Sequence, residues 1–237
     1  NMVNPMWLLR SLPNNVLCHV SIRNQLKGPN GCITNHTTSG VLAVVESAWA
    51  LREGDAQRVV AIGHDAPIEP QTLLYLDKVG LISKDVLRPY DERHDGCLLG
   101  EGAASLVLET EASARERGAT VLGEYLGGGD ASEGEGIFDV REDGDGLSRA
   151  IECALADAGL KPADIGMIVA HANGTQGSDR SEAAALLRIF GADMPPVTGF
   201  KWSIGHLFAA SGAIDVALGL EACRRNVVPG IATLDQL

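Results

Sequence analysis

Three short stretches of the 237-residue sequence concentrate side chains able to do chemistry. The first, Ile33-Thr34-Asn35-His36-Thr37-Thr38-Ser39-Gly40, sets hydroxyl, amide and imidazole groups directly ahead of an almost wholly apolar run, residues 40–51. Ser, Thr and Asn oxygens cap helices by accepting from free backbone amides, which accounts for one or two of these residues. The remainder leave room for a site at the helix entry. In the second, Val169-Ala170-His171-Ala172-Asn173-Gly174-Thr175, His171 ends an apolar stretch and Gly174 lets the turn behind it approach a ligand closely. A single histidine in such a place also suits a purely structural role. The third, Gly199-Phe200-Lys201-Trp202-Ser203-Ile204-Gly205-His206, ends an apolar stretch on Lys201 and opens a helix at His206. A helix N-terminus opposes added positive charge, so it favours the neutral imidazole, which still donates from one ring nitrogen. Two neutral imidazoles and a lysine suit the stabilisation of a developing oxyanion, and the three segments together point to a catalytic cleft.

The elements that must hold these segments follow from the alternation of short apolar runs with helical stretches, the mark of an α/β protein whose helices cover its sheets. Strands are expected over residues 31–35, 58–63, 104–108, 120–127, 166–171 and 197–201. The run 40–51 is apolar on nearly every side and predicts a helix buried in the middle of the molecule, with a second such helix over 208–223. Over 148–158, Ile151, Ala154, Leu155 and Ala158 share one stripe while Glu152 and Asp157 lie off it, which predicts a surface helix ending at Gly159. Residues 127–145 are rich in glycine and acid and read as a long surface excursion. A faint echo links Ser39-Gly40, which opens the first apolar helix, with Ser211-Gly212 in the second.

Composition narrows the functional classes. With 45% hydrophobic residues the chain can bury a core, and no apolar run approaches the ~20 residues that span a bilayer. No basic-then-apolar leader opens the sequence, so a soluble cytoplasmic chain is expected. The net charge of −12 disfavours nucleic acid and anionic membranes as partners, and 4% aromatic residues are too few for a base-stacking surface. Cys18, Cys32, Cys97, Cys153 and Cys223 are scattered singly and read as reduced, mostly buried thiols. A zinc-dependent hydrolase built on His64, His171 and His206 with Asp65 or Asp179 is a remote alternative, since no short ligand spacing supports it.

The same residues resemble the β-ketoacyl-(acyl carrier protein) synthases of fatty-acid and polyketide synthesis. The likeness runs from Ser21-Ile22-Arg23 and Leu26-Lys27-Gly28-Pro29-Asn30, through Arg88-Pro89-Tyr90-Asp91-Glu92-Arg93-His94-Asp95-Gly96-Cys97-Leu98-Leu99-Gly100-Glu101-Gly102-Ala103, to the two histidine segments and Val228-Pro229-Gly230-Ile231. It implies an α/β, thiolase-like layered αβαβα fold with mixed sheets and a buried central helix, incomplete at both ends. Residues 1–128 would be the remainder of the N-terminal half, with the helix that follows the nucleophile. Residues 129–237 would be the C-terminal half, with both histidine motifs.

In this family a cysteine accepts the acyl chain, two histidines support decarboxylation of malonyl-carrier, and the carbanion attacks the acyl group. Position by position, the resemblance places the first histidine on His171, the lysine on Lys201 and the second histidine on His206. Glu182 matches the motif's glutamate and Thr175 the threonine that contacts the pantetheine arm, with Asn173 beside it in the substrate-binding set. The nucleophile position is Thr37, a poor nucleophile unless a base activates it. Asn173, Trp202 and Cys97 are further departures around the cleft. The resemblance implies an acyltransferase of the 3-oxoacyl-(acyl carrier protein) synthase type, performing condensation or malonyl-carrier decarboxylation. It also admits a non-catalytic, chain-length-factor-like subunit of a ketosynthase heterodimer. The implied partners are an acyl carrier protein and a second ketosynthase-family chain, as homodimer or heterodimer, with no metal and no cofactor beyond the phosphopantetheine that carries the substrates.

Overall fold

The computed structural model describes residue 6 and residues 12–136 and 139–237. Most of residues 1–11, at the start of the expected first half, and residues 137 and 138, in the expected surface excursion, lie outside the described residues.

Helix α1, Asn15–Asn24, is followed by a 3-10 turn, His36–Thr38, that feeds directly into α2, Ser39–Arg52. Strand β1, Arg58–Asp65, helix α3, Pro70–Lys78, strand β2, Gly102–Glu109, and helix α4, Glu111–Glu116, complete the first part. The second part holds α5, Asp145–Ala158; β3, Ile168–Val169; α6, Gln176–Phe190; β4, Val197–Thr198; and the short α7, Lys201–Ile204. A 3-10 turn, Phe208–Ala210, then leads into α8, Ser211–Arg225. β1 pairs antiparallel with β2 from Arg58 opposite Glu109 to Asp65 opposite Gly102, and β3 pairs parallel with β4. Parallel pairing requires a crossover, here supplied by α6.

The core lies where α2 and α8 cross between the sheets. A Cβ at Gly40 would stand 2.7 Å from the Ala209 carbonyl oxygen and 2.8 Å from the Ala213 nitrogen, and one at Gly212 would stand 2.7 Å from the Val41 nitrogen. Each glycine thus admits the other helix's backbone. The serine before each closes the same ring: Ser39 Oγ accepts from the Asn35 amide at 2.8 Å, and Ser211 Oγ accepts from the Leu207 amide at 3.1 Å. Both preceding turns begin with a left-handed residue, His36 at φ 52° and Phe208 at φ 43°. The echo in the sequence is therefore an internal repeat of one local structure.

Several expectations change. Residues 31–35 and 120–127 join no ladder among the described residues. Gly31, Cys32, Ile33 and Thr34 instead line a cavity of about 1020 Å³ together with residues of β1. Val121 and Leu122 are exposed, so the apolar run 120–127 was no guide to a neighbouring strand. The strands of the second part shrink to two residues each, and Lys201 begins a helix rather than ending a strand. His206 precedes the helical turn and is tied instead by an isolated bridge to Leu99.

α2 is buried on one side only, because Val41 and Trp49 are exposed. Of the five cysteines only Cys97 is buried. The expected excursion begins as packed structure, since Gly127 and Gly129 lie against the backbone of α5. The surface helix itself is as expected: its C-cap, Gly159, takes the left-handed conformation at φ 66°.

Candidate active site

The second histidine is fixed from the start of α8. Ser211 Oγ accepts from the Leu207 amide, so its own proton is available to His206 Nδ1 at 3.1 Å. That arrangement puts the ring proton of His206 on Nε2. His206 is 2% exposed. Its ring stacks on Phe208, with centroids 4.7 Å apart and planes at 12°, and stands edge-on to His171 at 5.2 Å. Burial drives both imidazoles down, His171 to about 3 and His206 well below the ordinary histidine value. The Lys201 and His36 charges push the same way on each, and His171 adds to the effect on His206. Both rings are neutral at pH 7, as expected, but the leading cause is burial rather than the helix dipole.

His171 is held through its backbone. Glu182 on α6 accepts from the His171 amide at 2.7 Å, from the Ala172 amide at 2.9 Å and from the Tyr90 hydroxyl at 2.5 Å. Ala172 takes φ 45°, a conformation costly for a residue with a Cβ, and Glu182's grip on two successive amides maintains it. One turn earlier on α6, Asp179 accepts from the Tyr90 and Gly174 amides and meets His94 Nδ1 at 2.9 Å. Burial raises both carboxyls, and these donors pull them back. Glu182 thus positions the histidine loop from behind.

Asn173 and Thr175 bind one another, Asn173 Oδ1 accepting from both the amide and the hydroxyl of Thr175 at 2.9 Å. Lys201 is 1% exposed, and its Nζ lies 2.7 Å from Asp215 Oδ2 on α8. The other oxygen, Asp215 Oδ1, is buried with no hydrogen-bond partner among the described residues.

The structure therefore brings His171, Lys201 and His206 into one buried cluster. Thr37 sits in the turn 36–38, which packs on the turn 208–210 through an edge contact of His36 with Phe208 at 4.8 Å. Cys97 offers no substitute thiolate, because burial pushes its thiol up to about 11. Among the described residues no group of three or more His, Cys, Asp or Glu could hold a metal ion. His64, His171 and His206 with Asp65 or Asp179 accordingly form no such group, and Asp65 accepts from the Ala209 amide while Asp179 is engaged behind the histidine loop.

Tyr90, His94, Asp215, Ser211 and His36 were not singled out for these roles in the sequence. The spacing of Asp179 and Glu182, three apart on one helix face, was a signal for their joint action. Nothing in the spacing of Lys201 and Asp215 announces their pairing.

Residues 2–114 match the model for the β-ketoacyl synthase N-terminal domain, and residues 122–235 match that for its C-terminal domain. The chain is 34% identical to 3-oxoacyl-(acyl-carrier-protein) synthase 2 of Rhizobium meliloti (strain 1021), over 98% of this chain and 57% of that protein. It is 32% identical to the Staphylococcus aureus 3-oxoacyl-(acyl-carrier-protein) synthase 2, over 90% and 55%. It thus spans a little over half the length of these curated relatives. Among solved structures, the ishigamide ketosynthase/chain length factor superposes with a TM-score of 0.93 at 26% identity, over 99% of this chain and 58% of that one. A β-ketoacyl synthase from Burkholderia phymatum STM815 does so with a TM-score of 0.88 at 27% identity, over 99% and 60%. With both domains matched in order on a thiolase-like fold, this chain belongs to the β-ketoacyl synthase family.

Proposed function

We propose that this chain performs the decarboxylating part of ketosynthase chemistry on a malonyl group carried by an acyl carrier protein. The observation that carries the reading is the pair of neutral imidazoles, 5.2 Å apart and within reach of the buried Lys201 charge, in a chain with a threonine at the nucleophile position. Loss of carbon dioxide leaves an electron pair that moves onto the thioester oxygen. N–H donors from His171 and His206 stabilise that charge where it develops, and Lys201 adds a positive field. Burial keeps both rings from holding a second proton, so they donate without becoming charged.

Covalent acyl transfer stands differently, because a hydroxyl attacks a thioester only when a base takes its proton. Full-length protein incubated with malonyl-carrier is expected to release carbon dioxide and leave acetyl-carrier, both read by mass spectrometry. His171→Ala or His206→Ala should each lower the rate roughly 100-fold or more, the scale for removing one oxyanion donor. Absence of release above background overturns the reading. Thr37→Cys is expected to add an acyl adduct at position 37, which wild type lacks.

A second reading, a pairing subunit beside a cysteine-bearing ketosynthase chain, is favoured by Thr37 together with the likeness to the ishigamide ketosynthase/chain length factor. Under it, the protein alone is inert and raises the turnover of such a partner.

A further inference from the structure

The turn that carries Thr37 also carries an imidazole that the chemistry above does not use. His36 stands edge-on to Phe208 at 4.8 Å, Phe208 stacks on His206 at 4.7 Å, and His206 meets His171 at 5.2 Å. The four rings form an unbroken series with His36 at one end and His171 at the other. On its far side His36 lines the 1020 Å³ cavity with His64 and Asp65. It is the imidazole that links the cavity to the buried pair, and the most exposed of the three histidines in the series.

We infer that His36 is a further catalytic residue of this site, the acid that protonates the α carbon of the enolate left by decarboxylation. This rests on the decarboxylation reading. The bond between the α carbon and the carboxylate breaks, carbon dioxide leaves, and the pair remains as a thioester enolate. The proton on the His36 imidazolium then passes to the α carbon; a C–H bond forms, an N–H bond breaks, and water restores the proton to the neutral ring. No nucleophile or redox partner enters. With no acyl group held on Thr37, a proton is the electrophile that the enolate meets.

The two buried histidines are unsuited to this step, since neither takes a second proton near neutrality. His36 differs in its surroundings. Burial lowers it on balance as well, but it is the most exposed of the three, and the Asp65 carboxylate at the end of β1 pulls back toward the protonated form, so the imidazolium is a minority form at neutral pH that grows as pH falls. From the second part of the chain the uncharged Phe208 stands against it, with neutral His206 and His171 beyond that ring, and the charge that acts on it is that of Asp65.

The test uses the full-length protein, malonyl-carrier and acetyl-carrier, with His36→Ala and His36→Asn. Asparagine tolerates the left-handed backbone found at this position, so a shared loss in both variants is not a folding artefact. Acetyl formation should fall roughly 100-fold, the scale of general acid catalysis, and the wild-type decline in rate with rising pH should vanish. Added imidazole should restore part of the His36→Ala rate. Unchanged rate and pH profile in both variants overturn the proposal. Exchange of the α protons of acetyl-carrier into heavy water reads the same proton transfer in reverse. Exchange in wild type and its loss in the variants support His36 even when malonyl-carrier yields no carbon dioxide, an outcome that sinks the decarboxylation reading alone. No exchange by wild type overturns the role of His36.

Discussion

Lys201 and Asp215 are the pair on which the cleft rests. Their contact of 2.7 Å is almost wholly sealed from water, and removing one member of such a pair leaves an uncompensated charge. Lys201→Met should therefore destabilise the protein by about 3–5 kcal/mol in denaturant titration, and the double variant Lys201→Met/Asp215→Leu should recover most of the loss. Equal losses in single and double variants would show that the pair contributes packing alone. Lys201 was legible in the sequence because a lysine between an apolar run and a helix entry is conspicuous. Asp215 was not, because it lies on a separate helix and meets Lys201 only through the turn at Gly205 and the chain reversal after it. For the same reason the histidine loop was found while its supports, Tyr90 and Asp179, were missed: their bonds span 89 and 92 residues of sequence.

Among the elements, α2 and α8 matter most, since they bring Thr37 and His206 to one place. Gly40→Ala would drive a methyl group into the Ala209 carbonyl and the Ala213 nitrogen, both backbone atoms that cannot turn aside. Overpacking of this kind costs about 1–3 kcal/mol, and the separation of the two turns should also weaken binding of malonyl-carrier. Thermal unfolding and carrier titration of Gly40→Ala check both effects; unchanged values in both would contradict the crossing. The apolar runs gave the first helix to within a residue at each end and the second to within three, its first residues forming a 3-10 turn instead. The strands were read less well because an apolar run reports that a segment avoids water, and pairing depends on a neighbour elsewhere in the chain. Residues 31–35 and 120–127 have the composition without the neighbour.

At the scale of the molecule, charge and acid response dominate. Arg52 is engaged with Asp157, and Arg93 with Asp91 and Asp235, so two arginines conspicuous in a chain of net charge −12 are already matched internally. His171 titrates near 6.5 when unfolded and near 3 when folded. Between these values the unfolded chain binds more protons, so this contribution to stability is present above about pH 6.5 and is lost as pH falls toward 3. The raised carboxyls of Asp179, Glu182 and Asp215 act in the opposite sense below neutrality. The difference between wild type and His171→Gln isolates the histidine: the wild-type Tm should drop relative to the variant between pH 7.5 and 5.5. Parallel curves would count against a buried neutral His171.

The repeated entry of α2 and α8 has one last consequence. Because each glycine admits the backbone of the opposite helix, the two halves are geared together, and neither turn can shift without moving the other. The location of Thr37 is thereby set as much by residue 212 as by its own neighbours. At matching posts of the gear stand His36 and Phe208, an imidazole on one side and a hydrocarbon ring on the other, so that the scaffold is symmetric and the chemistry is handed.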